Sequence, residues 1–271
     1  MAMLINGQPG EHVSALDRGL AYGDGIFRTI EIKQGQPRLW AWQYPRLAAD
    51  AARLKLPVPD ETLLLDEISQ LATGLEQGVA KIVLTRGVGA RGYAMPADAQ
   101  PTRLLSVTPW AGYPAERARD GVHVRCCDTR LSCQPLLAGI KHLNRLENVL
   151  ARSEWSDPDI HEGLMLDTRG LLIEATMSNV YLVMGQRILT PRLDQNGVQG
   201  MLRDWLFAHA AQLGYQMQET EIAPAQLQAA DAVFLSNSLI GLWPVASLDG
   251  QPLSQGHDCC AQLQALLAQQ N

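Results

Sequence analysis

Apolar positions along the chain recur sometimes every second residue and sometimes every three to four, and these periods lay out the elements. Residues 3–7 and 26–32 alternate as strands, and the turn Gln34-Gly35-Gln36 leads to a partner strand at 37–40, which predicts an antiparallel hairpin. Residues 44–54 are alanine-rich with leucines at helical spacing, and Pro57 and Pro59 end that helix. A second amphipathic helix is predicted over 61–75, followed by strands at 80–85 and 103–108. Glycine-rich stretches at 14–25 and 86–93 read as loops.

Past these elements, 109–120 holds two prolines, a glycine and alternating charges, so a domain boundary is placed there. A strand follows at 122–127, then a helix from Lys141 to about residue 155 with Leu143, Leu146, Val149 and Leu150 on its apolar stripe. Meander strands are predicted at 163–167, 171–174, 179–183 and 187–190. A helix over 201–213 carries Leu202, Trp205 and Leu206 on one side; a short helix at 224–228, a strand at 233–236 and a last helix at 257–269 complete the chain. The expected fold class is α+β, in two domains with mostly antiparallel sheets and flanking helices. The division is a smaller domain at 1–112, a linker at 113–120 and a larger domain at 121–271.

Composition narrows the function. The chain has 271 residues, of which 46% are apolar and 18% charged, enough to build real cores. A net charge of −6 without a basic run argues against nucleic acid or an anionic membrane as partner. There is no apolar run of membrane-spanning length and no basic, apolar leader at the start, so a cytoplasmic protein is expected. Four of the five cysteines lie in adjacent pairs and none has CxxC spacing, which fits reduced thiols and no metal site.

Chemistry gathers around Lys141, which follows the flexible pair Ala138-Gly139 and is a candidate Schiff-base lysine. On this stretch alone it reads as one of many surface lysines opening a helix, and the rest of the chain reverses that reading. Glu174 ends a strand before the small-residue loop Ala175-Thr176-Met177-Ser178, where a carboxylate can hold a ring nitrogen protonated. Gly200-Met201-Leu202 opens a helix whose free N–H groups suit a phosphate, and Ser238 and Asn237 after a strand can add donors. Arg46 offers a guanidinium fork. Together these features fit pyridoxal phosphate. Arg86 and Arg91 on the 86–93 loop are candidates for binding a substrate carboxylate, and Phe27 and Thr29 share a strand face that can line the pocket. His142, one step round the expected helix from Lys141, is read as a packing residue.

Four stretches carry a resemblance: Ser14-x-x-Asp17-Arg18-Gly19-x-x-Tyr22-Gly23-Asp24-Gly25, the run Arg86 to Tyr93, Ala138 to Glu147, and Pro191 to Gly197. The chain resembles the branched-chain aminotransferase-type (fold type IV) pyridoxal phosphate enzymes, most of all their aminodeoxychorismate lyase branch. The resemblance implies that Lys141 bears the cofactor, that Glu174 meets its ring nitrogen, and that Arg46, 200–202 and Ser238 hold its phosphate. Gln43 stands where relatives often carry histidine. It further implies a homodimer and a small-molecule substrate, aminodeoxychorismate, converted to p-aminobenzoate and pyruvate for folate synthesis. A branched-chain or D-amino acid transaminase of the same fold is the alternative, and a non-catalytic scaffold is the remote one.

Overall fold

In the computed structural model, residues 2–255 and 258–270 are described. Two units emerge, Met1–Gly112 with Ile140–Asn144, and Tyr113–Gly139 with Arg145–Asn271.

The first unit contains β1 (Ala2–Ile5), β2 (Gln8–Pro9), α1 (Arg18–Tyr22), β3 (Gly25–Lys33), β4 (Gln36–Pro37), α2 (Trp40–Arg53), α3 (Glu61–Ala72), β5 (Gln77–Thr85) and β6 (Thr102–Pro109). Its antiparallel sheet runs β2-β1-β6-β5-β3-β4. On β3 the two-residue period sends Ile26, Ile30 and Ile32 into a core shared with Leu47, Ala51, Leu64 and Ile68 of the two long helices. Phe27 and Thr29 occupy the opposite face. Two local expectations change. The loop over 14–25 contains α1, started by Asp17, whose side chain accepts from the Gly19 N–H, and ended by Gly23 at φ 64°. The hairpin partner is only two residues long, because Leu39 turns left-handed (φ 54°) and launches α2 at Trp40.

The second unit contains α4 (Ala115–Arg119), β7 (Val122–Leu131), α5 (Leu146–Arg152), β8 (Glu162–Asp167), β9 (Leu172–Ala175), β10 (Asn179–Met184), β11 (Arg187–Pro191), α6 (Met201–His209), β12 (Gln216–Thr220), α7 (Gln226–Ala229), β13 (Ala232–Asn237), β14 (Gly241–Leu248), β15 (Gln251–Pro252) and α8 (Cys259–Ala268). Its sheet runs β12-β11-β10-β13-β14-β7-β8-β9 with β15 on β14. The pairs β11/β12, β14/β7 and β7/β8 are parallel, so this sheet is mixed. Strands β12 and β14 have no counterpart in the sequence reading. The first is a polar edge strand, Gln-Met-Gln-Glu-Thr, and the second is interrupted by Pro244. Residues 113–120, expected as a linker, carry α4 and group with the second unit. The expected start of the last helix at His257 lies outside the described residues.

The largest departure concerns the lysine segment. Residues 140–144 are extended, and only Leu146–Arg152 is helical. His142 bridges to Ile26, the Phe27 N–H donates to the Lys141 carbonyl at 3.0 Å, and the Leu143 N–H donates to the Gly25 carbonyl at 3.0 Å. The segment thus lies along β3 as a short extra strand. The stripe expected to pack inward faces out: Leu146, Val149 and Leu150 are 75%, 61% and 58% exposed.

Candidate active site

Lys141 is held through its main chain. Its carbonyl is tied to Phe27, and its N–H donates to Asp50 Oδ2 at 3.1 Å. Its Nζ stands 4.5 Å from the centre of the Phe27 ring, and Lys81 Nζ of β5 lies 5.5 Å from the same ring. Thr29, cross-strand neighbour of Lys81, shares the Phe27 face. His142 is buried, and because neighbours on an extended chain point to opposite faces it turns away from Lys141 for a reason other than helical rotation. Arg46 sits one helical turn before Asp50 on α2, with Nη2 at 3.5 Å from Asp50 Oδ1.

The two candidate arginines of the 86–93 loop separate. Arg86 is buried and fully engaged. It grips Asp24 with Nε to Oδ2 at 2.8 Å and Nη2 to Oδ1 at 3.0 Å, and donates to the Leu54 and Lys55 carbonyls. Arg86 is therefore a structural clamp in place of the substrate ligand the sequence suggested. Burial alone pushes the Asp24 carboxyl up, but hydrogen bonds and charge from Arg86 and Arg18 outweigh it and hold the group below its usual value. Arg18 also reaches the Gly92 and Tyr93 carbonyls, at 2.9 and 3.3 Å. Gly87 is required beneath this clamp, since a Cβ there would lie 1.8 Å from the Gln100 carbonyl oxygen at φ 82°. Arg91 lies exposed on the loop, beside Tyr93 at 84% exposure.

In the second unit, Glu174 is buried at the end region of β9, and its Oε2 accepts from the Val198 N–H at 2.7 Å. Arg145 is close enough to feel it. Desolvation lowers the Arg145 pKa, and the charges of Glu174 and Glu147 oppose that. Gly200 precedes α6 with no side-chain cap, so the first-turn N–H groups of Met201 and Leu202 have no acceptor within the helix. Gly200 donates to Asn179 Oδ1 at 3.0 Å, and a Cβ at 200 would come within 2.5 Å of that oxygen. Asn179 Nδ2 also donates to the Val198 carbonyl at 2.7 Å, so one amide at the start of β10 fixes the turn that serves Glu174 and the one that opens α6.

Asn237 has a role other than the one expected. Its Oδ1 accepts from Leu239 and Ile240 N–H, at 2.8 and 3.0 Å, and its Nδ2 donates to the Met177 carbonyl. It shapes the turn that presents Ser238. Glu162 was missed altogether. Fully buried at the head of β8, its carboxylate accepts from the N–H groups of Gly163, Thr176 and Met177 and from the hydroxyls of Thr176 and Ser178. Burial pushes its carboxyl up and those donors pull it back. The sequence signal for both Glu162 and Asn179 is a polar residue opening an otherwise apolar strand.

The sequence profile for amino-transferase class IV matches residues 25–248. The aminodeoxychorismate lyase of Vibrio harveyi is 35% identical over 244 residues, 90% of each chain. The D-alanine aminotransferase of Listeria innocua is 27% identical, covering 94% of this chain and 90% of its own. Among solved structures, the 4-amino-4-deoxychorismate lyase of Pseudomonas aeruginosa superposes with a TM-score of 0.93 at 43% identity, covering 98% of both chains. The chain belongs to the class IV aminotransferase family of pyridoxal phosphate enzymes.

Proposed function

We propose that this chain is a 4-amino-4-deoxychorismate lyase, releasing p-aminobenzoate and pyruvate. The supporting observation is the near end-to-end similarity, at 43% identity, to the P. aeruginosa enzyme of that name. The residues suit the cofactor. Uncapped N–H groups beside a glycine that tolerates no Cβ make an anion cradle at α6. Arg46 adds a guanidinium, and Glu174 is a buried carboxylate already oriented by Val198. In this reading Lys141 holds the cofactor covalently, Glu174 keeps a proton on the ring nitrogen, and Arg46, Met201, Leu202 and Ser238 take the phosphate.

The cofactor, when bound, stabilises negative charge at the carbon bearing the substrate amine. Lys141 supplies the base. Its pinned main chain and the Phe27 ring confine Nζ, which, once released as a neutral amine by the incoming substrate amine, takes the proton from C4 of the substrate. The electron pair left behind forms a ring double bond, the C3–O bond breaks, and enolpyruvate departs with that bond's electrons and is protonated to pyruvate. Thr29 and Phe27 line this side. With Arg86 engaged elsewhere, Lys81 and the exposed Arg91 are the cations assigned to the two substrate carboxylates. No keto acid is consumed.

We read the two units as the two domains of this enzyme, residues 140–144 grouping with the first. We also read it as a homodimer acting in the cytoplasm. No described helix is long and apolar enough to cross a membrane, and all five cysteines are free. Burial pushes the Cys127 thiol up to about 12, which keeps it unreactive.

The test is an incubation with aminodeoxychorismate and no keto acid. Equimolar p-aminobenzoate and pyruvate over many turnovers are expected, and Lys141→Ala is expected to abolish both. An enzyme that instead needs a keto acid and makes an amino acid is the transaminase.

A further inference from the structure

Outside the residues already given roles, the most enclosed charge cluster in the first unit surrounds Asp50. Its side chain is fully buried on α2. Oδ2 accepts from Arg28 Nη2 of β3 and from the Lys141 N–H at 3.1 Å, while Oδ1 faces Arg46 Nη2 at 3.5 Å. Arg28 Nη2 also donates to the Arg46 carbonyl at 3.4 Å. One carboxylate therefore joins three separate pieces of chain: the strand beneath Phe27, the helix that carries Arg46, and the extended segment that carries Lys141.

We propose that Asp50 is a positioning residue that sets the Lys141 main chain and the Arg46 guanidinium in register with each other, with Arg28 as the counter-ion that keeps the carboxylate in place. The inference rests on the proposed roles of Lys141 and Arg46. A core that only needed stability would not need this arrangement, because apolar side chains of similar volume often serve a buried site as well as an ion pair does. Both Asp50 oxygens instead face groups of the candidate site, one the backbone of the lysine and the other the phosphate arginine. Any shift of the carboxylate moves both together. Main-chain anchoring also leaves the lysine amine free to act while its base is fixed.

Two variants separate positioning from stability. Asp50→Asn is isosteric and loses the charge. The double variant Arg28→Met with Asp50→Leu removes the pair together and leaves the net charge of the cluster unchanged. Each is read by thermal unfolding without cofactor, by visible-absorbance titration with pyridoxal phosphate, and by titration with pyridoxamine phosphate, which cannot link to a lysine. Borohydride fixation with peptide mapping supplies the covalent readout. The double variant is expected to unfold near the wild-type temperature. It is also expected to bind pyridoxal phosphate at least tenfold more weakly, to bind pyridoxamine phosphate more weakly, and to fix cofactor to Lys141 more slowly. A folded variant with wild-type affinities and fixation rate overturns the proposal. So does failure of both variants to fold, which would assign Asp50 to stability alone. If wild-type fixation maps to a lysine other than Lys141, the reading of the site fails, independently of Asp50.

Discussion

At the scale of single residues, the distinction that matters is between a side chain that is available and one that is already engaged. Arg86 and Arg91 stand five positions apart on one loop and look alike in sequence. Only the fold separates them, with Arg86 bidentate on Asp24 while Arg91 reaches solvent. Glu174 is the opposite case. Its place at a strand end before small residues was legible, and burial with an oriented N–H donor is what the structure adds. Glu174→Gln preserves shape and leaves a carbonyl oxygen for Val198, so the fold should hold. The anion proposed to keep the ring nitrogen protonated is lost, and kcat for p-aminobenzoate release is expected to fall by about a hundredfold or more. Thermal unfolding should move by only a few degrees. Activity close to wild type in a folded variant would remove Glu174 from the mechanism.

Elements show a different kind of information. The motif residues Asp17, Arg18, Tyr22, Asp24 and Arg86 are mostly a clamp. Arg18 and Arg86 share Asp24, Tyr22 packs on Tyr93 with ring centres 5.3 Å apart, and Thr102 donates to Asp17. Asp24→Asn would leave two enclosed guanidiniums without their anion. A loss of about 3–5 kcal/mol is the usual scale for breaking such a pair. The pH sign follows from the direction of the shift. A carboxyl held below its usual 3.8 contributes fully above that value and loses its contribution as pH falls through the depressed one. Wild-type melting temperature should therefore decline on acidification below about pH 4, and Asp24→Asn should show a shallower decline from a lower start. Equal acid sensitivity in both would place the effect elsewhere.

The same scale explains why the lysine segment misled. Leucines and valine at positions 143, 146, 149 and 150 satisfy a helical period, but periodicity does not say which side is wet. Nor does it see that β3 offers Lys141 and Leu143 main-chain partners, which make residues 140–144 extended. Strand β14 was hidden because Pro244 breaks the local signal, although its neighbours in the sheet are fixed. The helix opening at Gly200 was legible because glycine before an apolar-periodic run is itself a terminus signal, and the structure supplies Asn179 as the reason that no side chain fits there.

For the whole molecule, the outward face of α5 is the feature with the largest consequence. A seven-residue helix buries only Ala151 and leaves Leu146, Val149 and Leu150 in water. Each large aliphatic side chain contributes about 1.5–3 kcal/mol when fully buried, so three of them on one short helix favour association. If the chain is a homodimer, that stripe is where we expect the second copy to contact it. Each copy carries −6, so two copies repel, and added salt should screen the repulsion and tighten the dimer. A dimer held mainly by ion pairs would loosen instead. Val149→Glu with Leu150→Glu changes no residue of the proposed site, yet places two carboxylates on the stripe. Sedimentation velocity at micromolar concentration is expected to give a dimer for the wild type and a monomer for this variant, with unchanged far-ultraviolet circular dichroism. An undisturbed dimer would move the interface to another surface, and a wild-type monomer at every salt concentration would remove the homodimer from the proposal.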